Sequence, residues 1–188
     1  MYNNIFNSFS DMEKQLINLK RSAETAYICS PLNAGTKTEV QDNICAARTY
    51  MAYSIQKMGI YARAPHGYLP LILSDDIPSE RVIALKFGCK VLEVSNFLFV
   101  CGNRLSVGMM GEIAQAAQLG IEIRVFNEKL YPDVEELVIR NGGIKEKVIL
   151  DLDNKLMSLS ARELNLTSFK PESPVRKVTK KCYASLSG

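Results

Sequence analysis

The residues best suited to binding or catalysis lie between Gly102 and Gly111, and the carboxylate of Glu112 follows them. The glycines let the backbone approach a ligand closely, Ser106 supplies a hydroxyl, and the helix predicted to follow supplies free N–H groups. This combination predicts an anion site suited to a phosphate. Glu112 stands in the first turn of that helix, where it is either a reactive carboxylate or a charge that favours the helix N-terminus.

Two other segments carry polar side chains after short apolar runs. The first is Ser30-Pro31-Leu32-Asn33-Ala34-Gly35 and the second is Ala64-Pro65-His66-Gly67-Tyr68. Ser30 and Asn33 suit a phosphate or ribose contact, but they also suit an ordinary turn. His66, the only histidine, could contact a ligand or make structural hydrogen bonds. We expect no metal site at His66, because the sequence offers no partner ligands for it.

Two longer side chains extend this set of candidates. Tyr68 could stack on a base or pack over the edge of a sheet. Arg104 could bind a phosphate through two parallel hydrogen bonds, form a salt bridge with Glu112, or be an exposed loop arginine. The candidate catalytic residue is therefore Glu112, and the candidate substrate-binding residues are Ser30, Asn33, His66, Tyr68, Arg104, Ser106 and Gly108.

The elements that must position these residues alternate short apolar runs with helical stretches. Strands are predicted near 26–30, 60–64, 97–101 and 121–126, and helices over 38–58, 79–91 and 110–119. This alternation predicts an α/β fold with a Rossmann/flavodoxin-like parallel sheet flanked by helices. Ligands of such sheets bind beyond the carboxyl ends of the strands. The polar segments should therefore converge on one cleft.

The two ends of the chain are predicted to lie outside this sheet. Ser10 with Glu13 matches a capping-box pattern that predicts a helix. Residues 148–152 with 156–159 predict a hairpin before a short helix capped by Ser160. We therefore predict an N-terminal helix at 1–24, an α/β domain at 25–144, a hairpin–helix extension at 145–167 and a flexible basic tail at 168–188. A solvated tail is the ordinary fate of such a sequence.

Composition excludes several classes of protein. The chain has 188 residues, 47% of them apolar, and a net charge of +3, which is too weak to indicate a nucleic-acid partner. No apolar run approaches the roughly 20 residues that span a bilayer, and the start lacks the order of a signal peptide. Five widely spaced cysteines without a C-x-x-C motif predict free thiols in the cytoplasm. We expect neither a metal nor a cofactor.

The stretch from Ser106 to Glu112 resembles the S-x-G-x-x-x-E segment of the nucleoside 2-deoxyribosyltransferase-like superfamily, in particular its 2'-deoxynucleoside 5'-monophosphate N-glycosidase branch. The closest likeness is to an uncharacterised group of bacterial and phage proteins with Y-I-C-S-P, A-P-H-x-Y and G-x-R-x-S-x-G-M-x-x-E-I motifs. This chain carries these motifs at 27–31, 64–68 and 102–113. The resemblance covers about residues 25–127.

The resemblance implies a mechanism in which a glutamate at the position of Glu112 attacks the anomeric carbon of a nucleotide or nucleoside. The base leaves, and water or another base resolves the glycosyl-enzyme ester. Ser106 would match a hydroxyl that holds the 5'-phosphate. The superfamily often builds its pockets across subunit contacts, which implies a homodimer.

This chain departs from the superfamily at two positions. Gly88 stands where characterised members carry an aspartate, and Asn96 stands where they often carry an acidic residue. An acid for the leaving group would have to come from Asp75, Asp76 or His66. The alternatives to an enzyme are a non-catalytic nucleotide-binding protein on the same fold, acting as sensor, sponge or inhibitor, and a protein-interaction module.

Overall fold

A computed structural model describes residues 23–74 and 76–166 of the chain. In this part of the chain, one parallel sheet contains five strands: β1 (Thr25–Cys29), β2 (Tyr61–Arg63), β3 (Phe97–Val100), β4 (Glu122–Val125) and β5 (Val148–Leu150). Their order is β2-β1-β3-β4-β5, and every neighbouring pair is parallel. This is the flavodoxin-like strand order, so the predicted fold class is confirmed. The predicted N-terminal helix and basic tail lie outside the described residues.

The α-helices of the described residues cover both faces of the sheet. They are α1 (Lys37–Tyr53), α2 (Pro78–Glu93), α3 (Val107–Leu119), α4 (Tyr131–Arg140) and α5 (Ala161–Leu166). Helices α2, α3 and α4 pack on what we call the first face, whereas α1 and α5 pack on the second face. Right-handed crossovers between parallel strands produce this division, because after β2 successive strands are added on the other side of β1. None of these helices is both long enough and apolar enough to cross a membrane.

Alternate residues of β1 supply both cores, as expected of a strand buried on both sides. Tyr27 and Cys29 belong to the core of the first face, with α2 and α3 side chains such as Leu92. Ile28 belongs to the core of the second face, with the α1 side chain Tyr50. Consequently, neighbouring residues of β1 serve sites on opposite faces.

Local signals in the sequence explain where α1 begins and ends. Thr36 and Glu39 form a capping box, in which the Thr36 hydroxyl accepts a hydrogen bond from the Glu39 N–H at 3.2 Å. The helix continues into one π-helical turn, Ser54–Met58. It ends at Gly59 with a φ of +70°, the left-handed conformation that glycine adopts readily. The stop predicted at Gly59 is therefore confirmed.

The hairpin predicted over 148–152 and 156–159 is wrong. Strand β5 pairs in parallel with β4, and Lys155–Ser158 forms a 3-10 helix. The prediction failed because it did not include α4. The parallel strands β4 and β5 need a crossover connection, and α4 supplies it. Val134 and Val138, one helical turn apart and both buried, were the available signal. The short helix after Ser160 is confirmed as α5.

Candidate functional site

The carboxyl edge of the sheet carries the loops that follow β1, β2 and β3. Strands β2 and β3 lie on opposite sides of β1, so the order of the strands reverses there. This reversal is the topological switch point, where ligands of such sheets bind. A 3-10 turn, Pro65–Gly67, follows β2 at this edge. The Arg48 Nε of α1 donates a hydrogen bond to the Gly67 carbonyl at 2.6 Å and so fixes this turn.

Glu112 lies on the first face and is bound by a tyrosine of β1. Helix α3 begins at Val107, and this places the partly buried Glu112 in its second turn. The Tyr27 hydroxyl donates a hydrogen bond to Glu112 Oε1 at 2.7 Å. Burial raises the pKa of Glu112 to about 7, although hydrogen bonds from Tyr27 and from the Cys29 thiol act in the opposite direction. The carboxyl therefore changes its charge near neutral pH.

Tyr27 is a donor that keeps its proton. Only 3% of its surface is exposed, and burial together with the nearby charge of Glu112 raises the pKa of Tyr27 far above its usual value. The Tyr27 hydroxyl therefore keeps the proton that it donates to Glu112 Oε1. Such a carboxyl suits nucleophilic attack when it is ionised and proton transfer when it is not.

Gly88 of α2 makes room for the Tyr27 hydroxyl. A Cβ atom at this position would lie 3.3 Å from the hydroxyl oxygen, closer than ordinary packing allows. The resemblance to the superfamily implies that an acidic residue is absent at this position, and position 88 faces the Tyr27–Glu112 pair. The Tyr27 phenol therefore occupies the space beside Glu112 that a side chain at position 88 would need.

Asn96 lies at the opposite edge of the sheet. It precedes β3, and its Oδ1 accepts hydrogen bonds from the Thr25 N–H at 2.9 Å and from the Thr25 hydroxyl at 3.0 Å. These contacts join the amino ends of β1 and β3. The absence of a carboxylate at position 96 consequently has no direct effect at the carboxyl edge.

Ser30 and His66 form a second pair at the carboxyl edge. Ser30 Oγ and His66 Nε2 are 2.7 Å apart, and Ser30 is only 5% exposed. Burial lowers the pKa of His66 to about 4, so its imidazole is neutral at neutral pH. The two loops that the sequence predicted to converge are thus in direct contact.

Asn33 and Arg104 join the loops after β1 and β3. The Arg104 Nη2 donates a hydrogen bond to the Asn33 carbonyl at 2.9 Å; this contact replaces the salt bridge with Glu112 that the sequence left open. Arg104 and Ser30 also line a cavity of about 30 Å³ beside Tyr50. A cavity of this size has room for about one water molecule.

The remaining candidates have structural contacts. The Ser106 hydroxyl caps α3 by accepting a hydrogen bond from the Met109 N–H at 3.3 Å. The helix therefore begins before Met110, where the sequence placed its start, and Gly108 is exposed in the first turn. The Tyr68 ring packs edge-on against Phe87 of α2, with centroids 6.4 Å apart.

Three groups of candidate residues result: Ser30 with His66, Asn33 with Arg104, and Glu112 with Tyr27. Tyr27, the partner of Glu112, and Ser30 both belong to β1 or directly follow it, so two of these groups lie close together along the chain. The sequence motifs did not identify Tyr27 as a member of the site. The signal was the alternation of β1, which places Tyr27 and Cys29 on the same face.

Comparison with known families gives one match. Residues 24–126 match the family model described as "Domain of unknown function (DUF7768)", and the match covers more than half of the chain. The chain belongs to this family. The matched range contains all the candidate residues and ends just after β4. No curated protein and no solved structure gives a significant match.

Proposed function

We propose that this member of the DUF7768 family is an N-glycosidase or deoxyribosyltransferase-like enzyme that acts on nucleotides or nucleosides, with Glu112 as its nucleophile. The reaction class comes from the resemblance of the Ser106–Glu112 stretch. The observation that carries the proposal is the pair of Tyr27 and Glu112, in which a phenol that stays protonated binds a carboxyl that ionises near pH 7.

In the proposed reaction, a carboxylate oxygen of Glu112 attacks the anomeric carbon of the sugar. The bond from this carbon to the base nitrogen breaks, its electron pair goes to the base, and the base takes up a proton. Water or a second base then attacks the anomeric carbon of the glycosyl ester and releases the Glu112 carboxylate. The Tyr27 hydroxyl stabilises the ionised carboxylate and orients it.

The proton for the leaving base has few sources among the predicted acids. Neutral His66 is a weak candidate because its pKa is about 4. Asp76 is exposed, whereas Asp75 lies outside the described residues. We propose that a group close to the base, solvent included, supplies this proton.

The N-terminus of α3 is the proposed phosphate site. The N–H groups of Val107 and Gly108 lie in the first turn of α3, where backbone N–H groups lack helical acceptors. Ser106 uses its oxygen as the helix cap, and its O–H remains able to donate to a phosphate. Glu112 lies on the same helix, so a sugar held by its 5'-phosphate would be presented to the carboxylate.

We propose a cytoplasmic homodimer. The four cysteines of the described residues (Cys29, Cys45, Cys89 and Cys101) are free thiols, as expected in a reducing compartment. Large apolar side chains of α2 and the segment before it are exposed, among them Leu71 at 67%, Ile72 at 76% and Leu85 at 61%. Exposed apolar side chains on one helix and on the segment before it support a protein contact there.

A non-catalytic nucleotide-binding protein is the second candidate. Gly88 favours it, because position 88 faces the Tyr27–Glu112 pair and supplies no second carboxylate. Such a protein would keep the phosphate site at α3 and bind nucleotides without breaking the glycosidic bond.

Incubation with a panel of nucleosides and nucleoside 5'-monophosphates distinguishes these functions. Chromatography measures the release of free base, and mass spectrometry of acid-quenched protein searches for a glycosyl adduct on the peptide that contains Glu112. Release together with the adduct supports the enzyme. A thermal shift without release supports the binding protein, and the absence of both contradicts the two proposals.

A further inference from the structure

The second face of the sheet has an open groove over β4 and β5. The groove has a volume of about 440 Å³ and is lined by Glu122, Arg124 and residues 149–154. The Arg124 guanidinium lies 4.3 Å from the centroid of the Phe97 ring. Because Phe97 belongs to the core of the second face, the groove lies on that face. Ile149 exposes 41% of its surface and Leu152 exposes 46%.

The groove combines apolar surface with an excess of negative charge. Its carboxylates are Glu122, Asp151 and Asp153, and its only cation is Arg124. Arg124 pairs with Glu122 at 2.8 Å. The carboxylate of Asp153 is exposed, and that of Asp151 accepts hydrogen bonds from the turn that follows β5. The groove is therefore suited to a polypeptide that carries both basic and apolar side chains.

Residues 167–188 have this composition. They contain five basic residues and one acidic residue, and the apolar residues Phe169, Val175, Val178 and Tyr183 are interspersed among them. The preceding helix, α5, packs on the second face through the buried Leu164. From β3 to β5 the sheet is about 10 Å wide, so a few extended residues at about 3.3 Å each cross it.

We propose that residues 167–188 bind in this groove. Their lysine and arginine side chains pair with Asp151 and Asp153, and their apolar side chains cover Ile149 and Leu152. The binding completes the second face, which α1 and α5 cover elsewhere. This arrangement replaces the solvated tail that the sequence predicts.

Zero-length carbodiimide cross-linking of the full chain tests which copy fills the groove. An equal mixture of ¹⁵N-labelled and unlabelled protein is treated and digested, and the linked peptides are identified by mass. We expect lysines of residues 167–188 to be linked to Asp151 or Asp153, with both peptides carrying the same label. Mixed-label links would assign the groove to a second copy and overturn the proposal. A lack of links to these two aspartates would also overturn it.

Charge reversal in the full chain tests the pairing itself. We expect Asp153→Lys to speed amide exchange over residues 149–154 about tenfold, and simultaneous Lys177→Glu, Lys180→Glu and Lys181→Glu to do the same. Combining the two sets should restore slow exchange, because the charges are complementary again. Glu146→Lys, an exposed change at the amino end of β5, is the matched control. Unchanged exchange in either charge-reversed set, or no restoration in the combination, would contradict the proposal.

Discussion

Two hydrogen-bonded pairs flank the end of β1, and burial acts on them in opposite directions. Burial raises the pKa of Glu112, the partner of Tyr27, to about 7. It lowers the pKa of His66, the partner of Ser30, to about 4. In both cases the neutral form is favoured, because a charge loses hydration when it is buried.

The same physical effect gives the two pairs different chemical capacities. Glu112 is moved into the neutral pH range, where it exists in both protonation states. His66 is moved out of this range and remains a neutral hydrogen-bond partner. A charge change at neutral pH therefore belongs to the Tyr27–Glu112 pair, and the Ser30–His66 pair is suited to binding a ligand or joining the two loops.

The largest expected effect comes from Glu112→Gln, which removes the attacking oxygen and keeps the size of the side chain. The rate of base release should fall on the order of a thousandfold, whereas nucleotide affinity should change much less. The rate is measured by chromatography and the affinity by calorimetry. Glu136→Gln, an exposed change on α4, is the control. Undiminished hydrolysis by the Glu112 variant would rule out the nucleophile.

The pH dependence of base release should reflect the ionisation of Glu112 and not that of His66. A nucleophile must be ionised, so kcat/KM should rise with pH and reach half its maximum near pH 7. Between pH 5 and pH 8 the increase should be about a hundredfold, in proportion to the ionised fraction. A rate that falls over this range would show that the carboxyl acts as an acid and would contradict the assigned role.

Tyr27→Phe should move this pH profile by removing the hydroxyl that binds Glu112. The hydrogen bond from Tyr27 lowers the pKa of Glu112, so its loss should shift the rise in rate to higher pH. At pH 7 the rate should fall about tenfold. Tyr50→Phe removes a buried hydroxyl that donates to the Leu159 carbonyl on the second face, and it should leave the profile in place.

Much of the fold was predictable because its signals are local. The buried strands β1 and β3 are short apolar runs, and the stops at Gly59 and Gly120 coincide with positive φ values of 70° and 66°. Strand β5 was misassigned because its pairing depends on a crossover rather than on its own residues. Both a hairpin and a parallel strand agree with the same apolar run.

The candidate site was predictable to the extent that it depends on the edge of the sheet. The meeting of Ser30 and His66 follows from two loops that share one edge. The pairing of Tyr27 with Glu112 depends on how α2 and α3 pack, including the space that Gly88 leaves. These residues are 85 positions apart, and no local pattern encodes that packing.

The smallest expected effect concerns stability, where the two pairs should produce opposing slopes between pH 5 and pH 6. The pKa of Glu112 rises from 4.5 to about 7 on folding, so its contribution to stability is present below pH 4.5 and is lost as the pH rises to 7. The pKa of His66 falls from 6.5 to about 4, so its contribution is present above pH 6.5 and is lost as the pH falls. Relative to wild type, the free energy of unfolding of Glu112→Gln should therefore rise by about 1 kcal/mol per pH unit, and that of His66→Gln should fall by a similar amount. Urea denaturation at pH 5 and pH 6 measures both slopes, and the double variant should again parallel wild type because the two contributions cancel. Single variants that parallel wild type would show that neither group changes its pKa on folding.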